Sequence, residues 1–168
     1  LYGAIELSPL TTVLRNEQEL LDDPRARSCG RSIPGTDVRI LNTGGVEVAR
    51  GEVGEVVVRG GNVMLGYWNK PQQTEAVLVD GAYWSGDLGY MDEGGYVFLV
   101  DRSKDMIVSG GENVYSTEVE EVLYQHPAVL EAAAFGVPDE MWGEAVRAVV
   151  VLRPEHHNVD PDEIIGFC

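Results

Sequence analysis

The chain has 168 residues, 44% of them hydrophobic, and a formal net charge of −16. That is enough for one domain, or one and a fraction, with a packed core. The acidity argues against nucleic acid and an anionic membrane surface as partners, because phosphate binding needs a basic face, and no apolar run approaches the roughly 18–20 residues of a membrane span.

Residues 1–8 read as a strand end or loop. Glu6, a carboxylate in an otherwise apolar segment, is either a metal or ligand contact or a solvated loop carboxylate. Residues 17–27 are charged, contain Pro24-Arg25 and read as a surface loop. From Arg31 to Gly60 the pattern turns to β. Ile33-Pro34-Gly35 is a turn, 37–41 a strand, Asn42-Thr43-Gly44-Gly45 a hairpin turn, and 46–49 and 55–59 further strands separated by Gly51 and Gly54. Short segments with regular glycine turns predict a small antiparallel sheet or barrel. Pro71 suits the first turn of a helix to Val77, Asp80-Gly81 is a turn, and the next strand begins at Tyr83-Trp84. The aromatics here, Tyr67 and Trp68 included, read as core packing. Asp92-Glu93-Gly94-Gly95 turns the chain back into a strand over 96–100.

After Arg102 the pattern shifts. Residues 106–108 are a short strand and 109–113 a loop whose Gly110 and Gly111 permit positive φ and close backbone approach. Thr117-Glu118-Val119-Glu120 is a capping box, and Val119, Val122 and Leu123 give the following helix one apolar face. His126 reads as a C-terminal cap suited to the helix dipole. Residues 128–137 and 145–152 are strands about a turn at Pro138-Asp139, and Asp160-Pro161-Asp162-Glu163 starts a helix. Strand, helix, strand, strand, helix is a small α+β domain beginning near Lys104. The chain begins at Leu1 and its last helix is cut at Cys168 without a stop signal, so a piece of a longer protein is expected. Cys29 and Cys168 make no metal or redox spacing, and with no secretory leader pattern the expected compartment is the reducing cytoplasm.

The charges that bunch in 85–120 are costly between apolar strands unless they pair or bind. Their order carries a family likeness. Tyr2-Gly3-Ala4-Ile5-Glu6 resembles the Tyr-Gly-x-Thr-Glu loop of the adenylate-forming enzymes, the superfamily of acyl-CoA synthetases, luciferase and peptide-synthetase adenylation domains. Ser85-Gly86-Asp87 resembles their Thr/Ser-Gly-Asp, Asp101-Arg102-Ser103-Lys104-Asp105 their hinge, and Gly110-Gly111-Glu112-Asn113 through Glu120 the glycine loop and helix that follow.

The resemblance implies a mixed α/β and α+β architecture. Residues 1–103 would end a large AMP-binding domain with its β-rich subdomain, and 104–168 would begin a small mobile C-terminal domain, here incomplete. It implies a carboxylic acid substrate, ATP/AMP, Mg²⁺ and coenzyme A, with an acyl-adenylate formed first and a thioester second. By the same likeness Tyr2 and Gly3 line the adenine site, Asp87 and Arg102 take the ribose, Glu6 helps hold Mg²⁺, Lys104 is the hinge, and Gly110 and Gly111 border the pantetheine tunnel. The segment 104–114 is most similar to fatty-acid and aryl CoA ligases. A carrier-protein-loading adenylation domain and a non-catalytic nucleotide-binding module are the alternatives. Two departures stand out. Ile5 replaces the family threonine, and the upstream phosphate loop and downstream catalytic lysine are absent, so this chain alone is expected to be inactive.

Overall fold

Val38 and Ile40 alternate with Asp37 and Arg39, the period-2 pattern of a half-buried strand, whereas Val56-Val57-Val58 is a continuous apolar run between Gly54 and Gly60, the pattern of a strand covered on both faces. In the computed structural model, which describes residues 1–15, 23–156 and 159–168, these stretches are β3 and β4 of the first of two units, Leu1–Val100 and Asp101–Cys168.

In the first unit β1 (Thr12–Val13) and β2 (Arg31–Ser32) make a two-stranded ribbon. β3 (Thr36–Leu41) pairs antiparallel with β4 (Gly54–Gly60) in one unbroken register, from Thr36 opposite Gly60 to Leu41 opposite Glu55. α1 (Pro71–Val77) follows, with Pro71 in its first turn, then β5 (Leu78–Val79), β6 (Ala82–Met91) and β7 (Val97–Arg102). β6 is the hub of this sheet: it pairs with β4, β5 and β7. The inward residues Val38, Ile40, Val56, Val58, Tyr83, Met91 and Val97 pack with Tyr2 and Leu7 from the start of the chain.

Three expectations for this unit need correction or completion. Residues 46–49 form no strand. Glu47 makes a single bridge to Leu41, and the chain turns away through the Glu52 N–H to Ala49 carbonyl bond before further rungs can form. The aromatics divide: Tyr83 is buried, whereas Trp68 is 88% exposed on the turn closed by Lys70 N–H and the Tyr67 carbonyl. Of the loop expected over 17–27, residues 16–22 lie outside the described residues. Pro24–Arg27 is a 3₁₀ turn whose Asp23 side chain accepts the Arg25 N–H. Arg25 then reaches Asp92 in the turn before β7, at 2.9 Å. Desolvation works against charge on Asp92, but the Tyr96 N–H and the Arg25 guanidinium hold its carboxyl below the ordinary value.

The second unit contains β8 (Ile107–Ser109), β9 (Glu112–Val114), α2 (Ser116–Gln125), β10 (Val129–Asp139), β11 (Gly143–Leu152) and α3 (Pro161–Phe167). Its sheet runs β10-β11-β8-β9. Leu123 of α2, Val129 of β10 and Ile164 of α3 make the centre of its core, with Val119, Ala132, Val150, Leu152 and Val159 around them.

Here too the local reading needs correction. The loop expected at 109–113 is a two-residue hairpin, because Ser109 pairs with Glu112 and only Gly110 and Gly111 lie between. Their φ values of +62° and +86° suit that turn and cost a glycine little. β10 runs through Pro138, and the turn falls at 140–142, where the Asp139 carboxylate accepts the N–H groups of Met141 and Trp142. The capping box does not form. α2 starts at Ser116 with no side-chain cap from Tyr115; Asp101 accepts from the Ser116 hydroxyl at 2.8 Å, and Glu120 is drawn to the Ala134 N–H at 2.9 Å. His126 does end α2, yet its ring is only 5% exposed, accepts the Ala128 N–H at Nδ1 and meets Phe167 edge-on. The ring thus ties the chain that follows to the helix end it caps.

Ile40 is 1% exposed and Ile165 is 70% exposed. In urea denaturation, Ile40→Ala is expected to cost about 2–5 kcal/mol, and Ile165→Ala less than about 0.5 kcal/mol.

Candidate active site

Between two ladder pairs, Glu55 with Leu88 and Val57 with Trp84, β4 has the single residue Val56 while β6 has Ser85, Gly86 and Asp87. The extra residues form a bulge, which breaks the ladder locally and re-aims side chains. Its polar groups are satisfied from within. The Ser85 hydroxyl donates to the Val56 carbonyl at 2.7 Å and accepts the Asp87 N–H at 3.1 Å, and the Gly86 N–H donates to Glu55 at 2.8 Å. The Asp87 carboxylate is half-buried, and the Tyr2 hydroxyl donates to its Oδ2 at 2.7 Å. A pair 85 positions apart in sequence is thereby one unit in space.

Tyr2 is buried, with its backbone bridged to Thr12. Burial, together with the Asp87 carboxylate, pushes its phenol far above the ordinary value of 10.0, against an opposing hydrogen bond with Ser85. Gly3 comes next because nothing larger fits: a Cβ there would lie 1.7 Å from the Pro9 carbonyl oxygen. The chain then makes a 3₁₀ turn, Ile5–Leu7, which buries Leu7 and leaves Ile5 92% exposed. Glu6 lies on this turn, half-buried, and accepts a hydrogen bond from the Tyr67 hydroxyl at 2.7 Å. That bond raises the Tyr67 phenol above its ordinary value.

The remaining predicted residues lie in the second unit. The Arg102 N–H donates to Asp101 at 2.7 Å, and the Arg102 carbonyl accepts from the Asp105 and Met106 N–H groups, closing a turn with Lys104 exposed at its tip. Charges exposed at a turn bear little desolvation cost, which answers the concern raised by their clustering in sequence. The Gly110 N–H donates to the Trp142 carbonyl at 2.8 Å, and a Cβ on Gly110 would come within 2.9 Å of the Trp142 ring. Gly111 faces open space.

The structure joins Tyr2 to Asp87 and adds Tyr67, Ser85, Glu55 and Asp101 as partners that sequence reasoning missed. Ser85 and Asp101 had a signal, their places in the Ser-Gly-Asp triplet and the Asp101–Asp105 segment; Tyr67 and Glu55 had none. Two cavities of the first unit, about 820 and 500 Å³, have none of Tyr2, Glu6 or Asp87 in their walls. Among the described residues no group of three or more His, Cys, Asp or Glu side chains could hold a metal ion alone. A single carboxylate such as Glu6 suits a Mg²⁺ that arrives with nucleotide phosphates, since that ion is commonly held through one or two carboxylates plus substrate oxygens.

Two family models match the chain: one described as AMP-binding enzyme over residues 1–68, the other as AMP-binding enzyme C-terminal domain over residues 118–168. The chain belongs to the adenylate-forming superfamily. It is 44% identical to a long-chain-fatty-acid–CoA ligase of Bacillus subtilis over 99% of its own length and 29% of that protein. It is 45% identical to a feruloyl-CoA synthase of Amycolatopsis sp over 99% of this chain and 33% of that one. Solved o-succinylbenzoate CoA synthetase from Bacillus subtilis superposes with a TM-score of 0.87 in complex with its acyl-adenylate and 0.85 with ATP and a magnesium ion. Both superpositions are at 36% identity and take in 99% of this chain and 33% of that one. The chain thus spans about three tenths of the length of the curated relatives it matches. Among the described residues no helix is long and apolar enough to cross a membrane.

Because folding disfavours the Tyr2 phenolate, its contribution to stability is fully present below the ordinary phenol value of 10.0 and declines as pH rises beyond it. Denaturation followed from pH 8 upward, on the order of one pH unit per step, should show this alkaline loss, and Tyr2→Phe should make it shallower. Gly3→Ala should destabilise the first unit by more than the roughly 1 kcal/mol of an average substitution, as read by thermal melting.

Proposed function

We propose that the chain is the C-terminal part of an ATP-dependent acid–CoA ligase, AMP-forming, cytoplasmic, and acting on a fatty or aryl carboxylic acid. The observation that carries this reading is the Tyr2–Asp87 hydrogen bond, which unites the Tyr-Gly-x-x-Glu loop and the Ser-Gly-Asp bulge at one place. The names of the relatives support the acid–CoA ligase class. The first unit then belongs to the large nucleotide-binding domain, and the second begins the small mobile domain.

In the first half-reaction the acid's carboxylate oxygen attacks the α-phosphate of ATP, the acyl-adenylate forms and pyrophosphate leaves. Asp87 accepts hydrogen bonds from the ribose hydroxyls. An ionised carboxylate has about four acceptor sites, so it can serve Tyr2 and a diol together. Tyr2 and Gly3 form the floor beneath the adenine, and Arg102 adds a cationic donor to the ribose. Glu6 holds Mg²⁺, which supplies charge neutralisation at the phosphates when bound. In the second half-reaction the thiol of coenzyme A displaces AMP from the acyl carbon. Lys104, exposed at the tip of a short turn, is the hinge at which a few backbone angles absorb the swing between the two steps. Gly110 and Gly111 line the path of the pantetheine arm. The chain by itself is inactive, because the phosphate loop and the catalytic lysine of the family are not among its residues.

Ile5 favours a second reading. It is 92% exposed where the family has a threonine and has no hydroxyl to offer a phosphate, as in a nucleotide-binding module without turnover.

Acid-dependent ATP–pyrophosphate exchange on the full-length protein, over aliphatic and aromatic acids, tests both. Exchange followed by thioester release on adding coenzyme A establishes the ligase, and Ile5→Thr should then raise the exchange rate. AMP binding with no exchange for any acid establishes the module. For the ligase, Asp87→Ala should raise the ATP concentration needed for half-maximal rate by at least about tenfold, the loss of one charged hydrogen-bond partner. Lys104→Pro should slow thioester formation more than exchange, and equal slowing of both would remove Lys104 from the hinge.

A further inference from the structure

The segment between β4 and α1 does more than connect two elements. It is laced to the 3₁₀ turn that carries Glu6 by backbone and side-chain bonds at both ends. The Asn62 side-chain amide donates to the carbonyls of Leu7 and Leu10 at 3.1 and 3.2 Å, and the Met64 N–H donates to the Glu6 carbonyl at 2.8 Å. Further along, the Thr74 hydroxyl accepts the Tyr67 N–H at 2.9 Å, while the Tyr67 carbonyl accepts the Lys70 N–H. The backbone of Tyr67 is therefore held on both its donor and its acceptor. Its neighbours Leu65 and Trp68 point outward, fully and 88% exposed. Tyr67 alone of the three turns inward, and its hydroxyl meets Glu6 Oε1 at 2.7 Å.

We infer that Tyr67 is a positioning residue for the Glu6 carboxylate, presenting it to a divalent cation through its other oxygen. The inference rests on the reading of Glu6 as the Mg²⁺ carboxylate. A half-buried glutamate still has three side-chain torsions to order before it can meet an ion whose octahedral shell tolerates little misplacement. A phenol O–H on one oxygen fixes the carboxylate plane and leaves the second oxygen, which would be the one offered to the ion. Tyr67 touches neither nucleotide nor acid in this arrangement. It acts through Glu6.

The test is calorimetric titration of ATP into the full-length protein with saturating Mg²⁺, with AMP binding in EDTA as the metal-free control. Tyr67→Phe keeps the ring and removes only the hydroxyl. It is expected to weaken Mg²⁺-dependent ATP binding by about tenfold, the lower end for loss of an outer-shell partner, with AMP binding in EDTA unchanged. In a Glu6→Gln background the same substitution should have no further effect. Equal MgATP affinity in wild type and Tyr67→Phe would overturn the inference. So would an equal loss for MgATP and metal-free AMP, which marks general packing, or a full loss that persists beside Glu6→Gln. Wild-type protein whose nucleotide affinity ignores Mg²⁺ altogether would instead overturn the assignment of Glu6 itself, and Tyr67 would fall with it.

Discussion

A carboxylate in the middle of a paired strand faces a conflict, since the ladder dictates where each side chain points and the neighbouring strand covers one face. In β6 the bulge at Ser85–Asp87 removes the conflict by setting three residues against Val56. The break would leave a carbonyl and two N–H groups unpaired at partial burial, and each would cost on the order of 1–3 kcal/mol. Ser85 covers Val56 and receives Asp87, and Glu55 receives Gly86. The bulge is thus satisfied from within, and Asp87 is turned toward Tyr2 rather than lost in the sheet.

The same end of the first unit shows why the start of the chain packs so tightly. Tyr2 can reach Asp87 only if the chain crosses close to 9–12, and Gly3 permits that crossing where any Cβ would strike Pro9. The 3₁₀ turn that follows buries Leu7 as an anchor and leaves Ile5 and Glu6 toward the outside. One polar contact, one glycine and one apolar anchor therefore decide the presentation of the loop. In the second unit an analogous economy appears at α2. Asp101 accepts from Ser116 and Thr117 at the helix start, so a residue at the end of β7 also serves as the cap.

Much of this was legible from local pattern. The alternation of β3, the valine run of β4, the proline that opens α1 and the Asp160 cap of α3 are short-range effects, and they appear as the chain implies. The failures share one cause. Thr117–Glu120 has the spacing of a capping box, but Glu120 finds the Ala134 N–H of the neighbouring strand and Asp101 arrives from 15 residues away. Pro138 reads as a turn, yet it lies within β10 and the Asp139 carboxylate moves the turn to the residues after it. Residues 46–49 have strand composition and only one bridge, to Leu41 at the end of β3, because the chain bends at Ala49–Glu52.

By itself the sequence determined the family and the identities of the chemical groups: a run of motifs in fixed order, an acidic chain without long apolar segments, and the carboxylates, phenols and glycines of those motifs. Those follow from composition and short spacing, which a linear reading can measure. Only the tertiary structure decided which groups are partners. Tyr2 with Asp87, Tyr67 with Glu6 and Asp101 with Ser116 are separated by 85, 61 and 15 positions. Hydrogen bonds act over about 3 Å, so they record the folded path of the chain and leave no trace in the spacing of its residues.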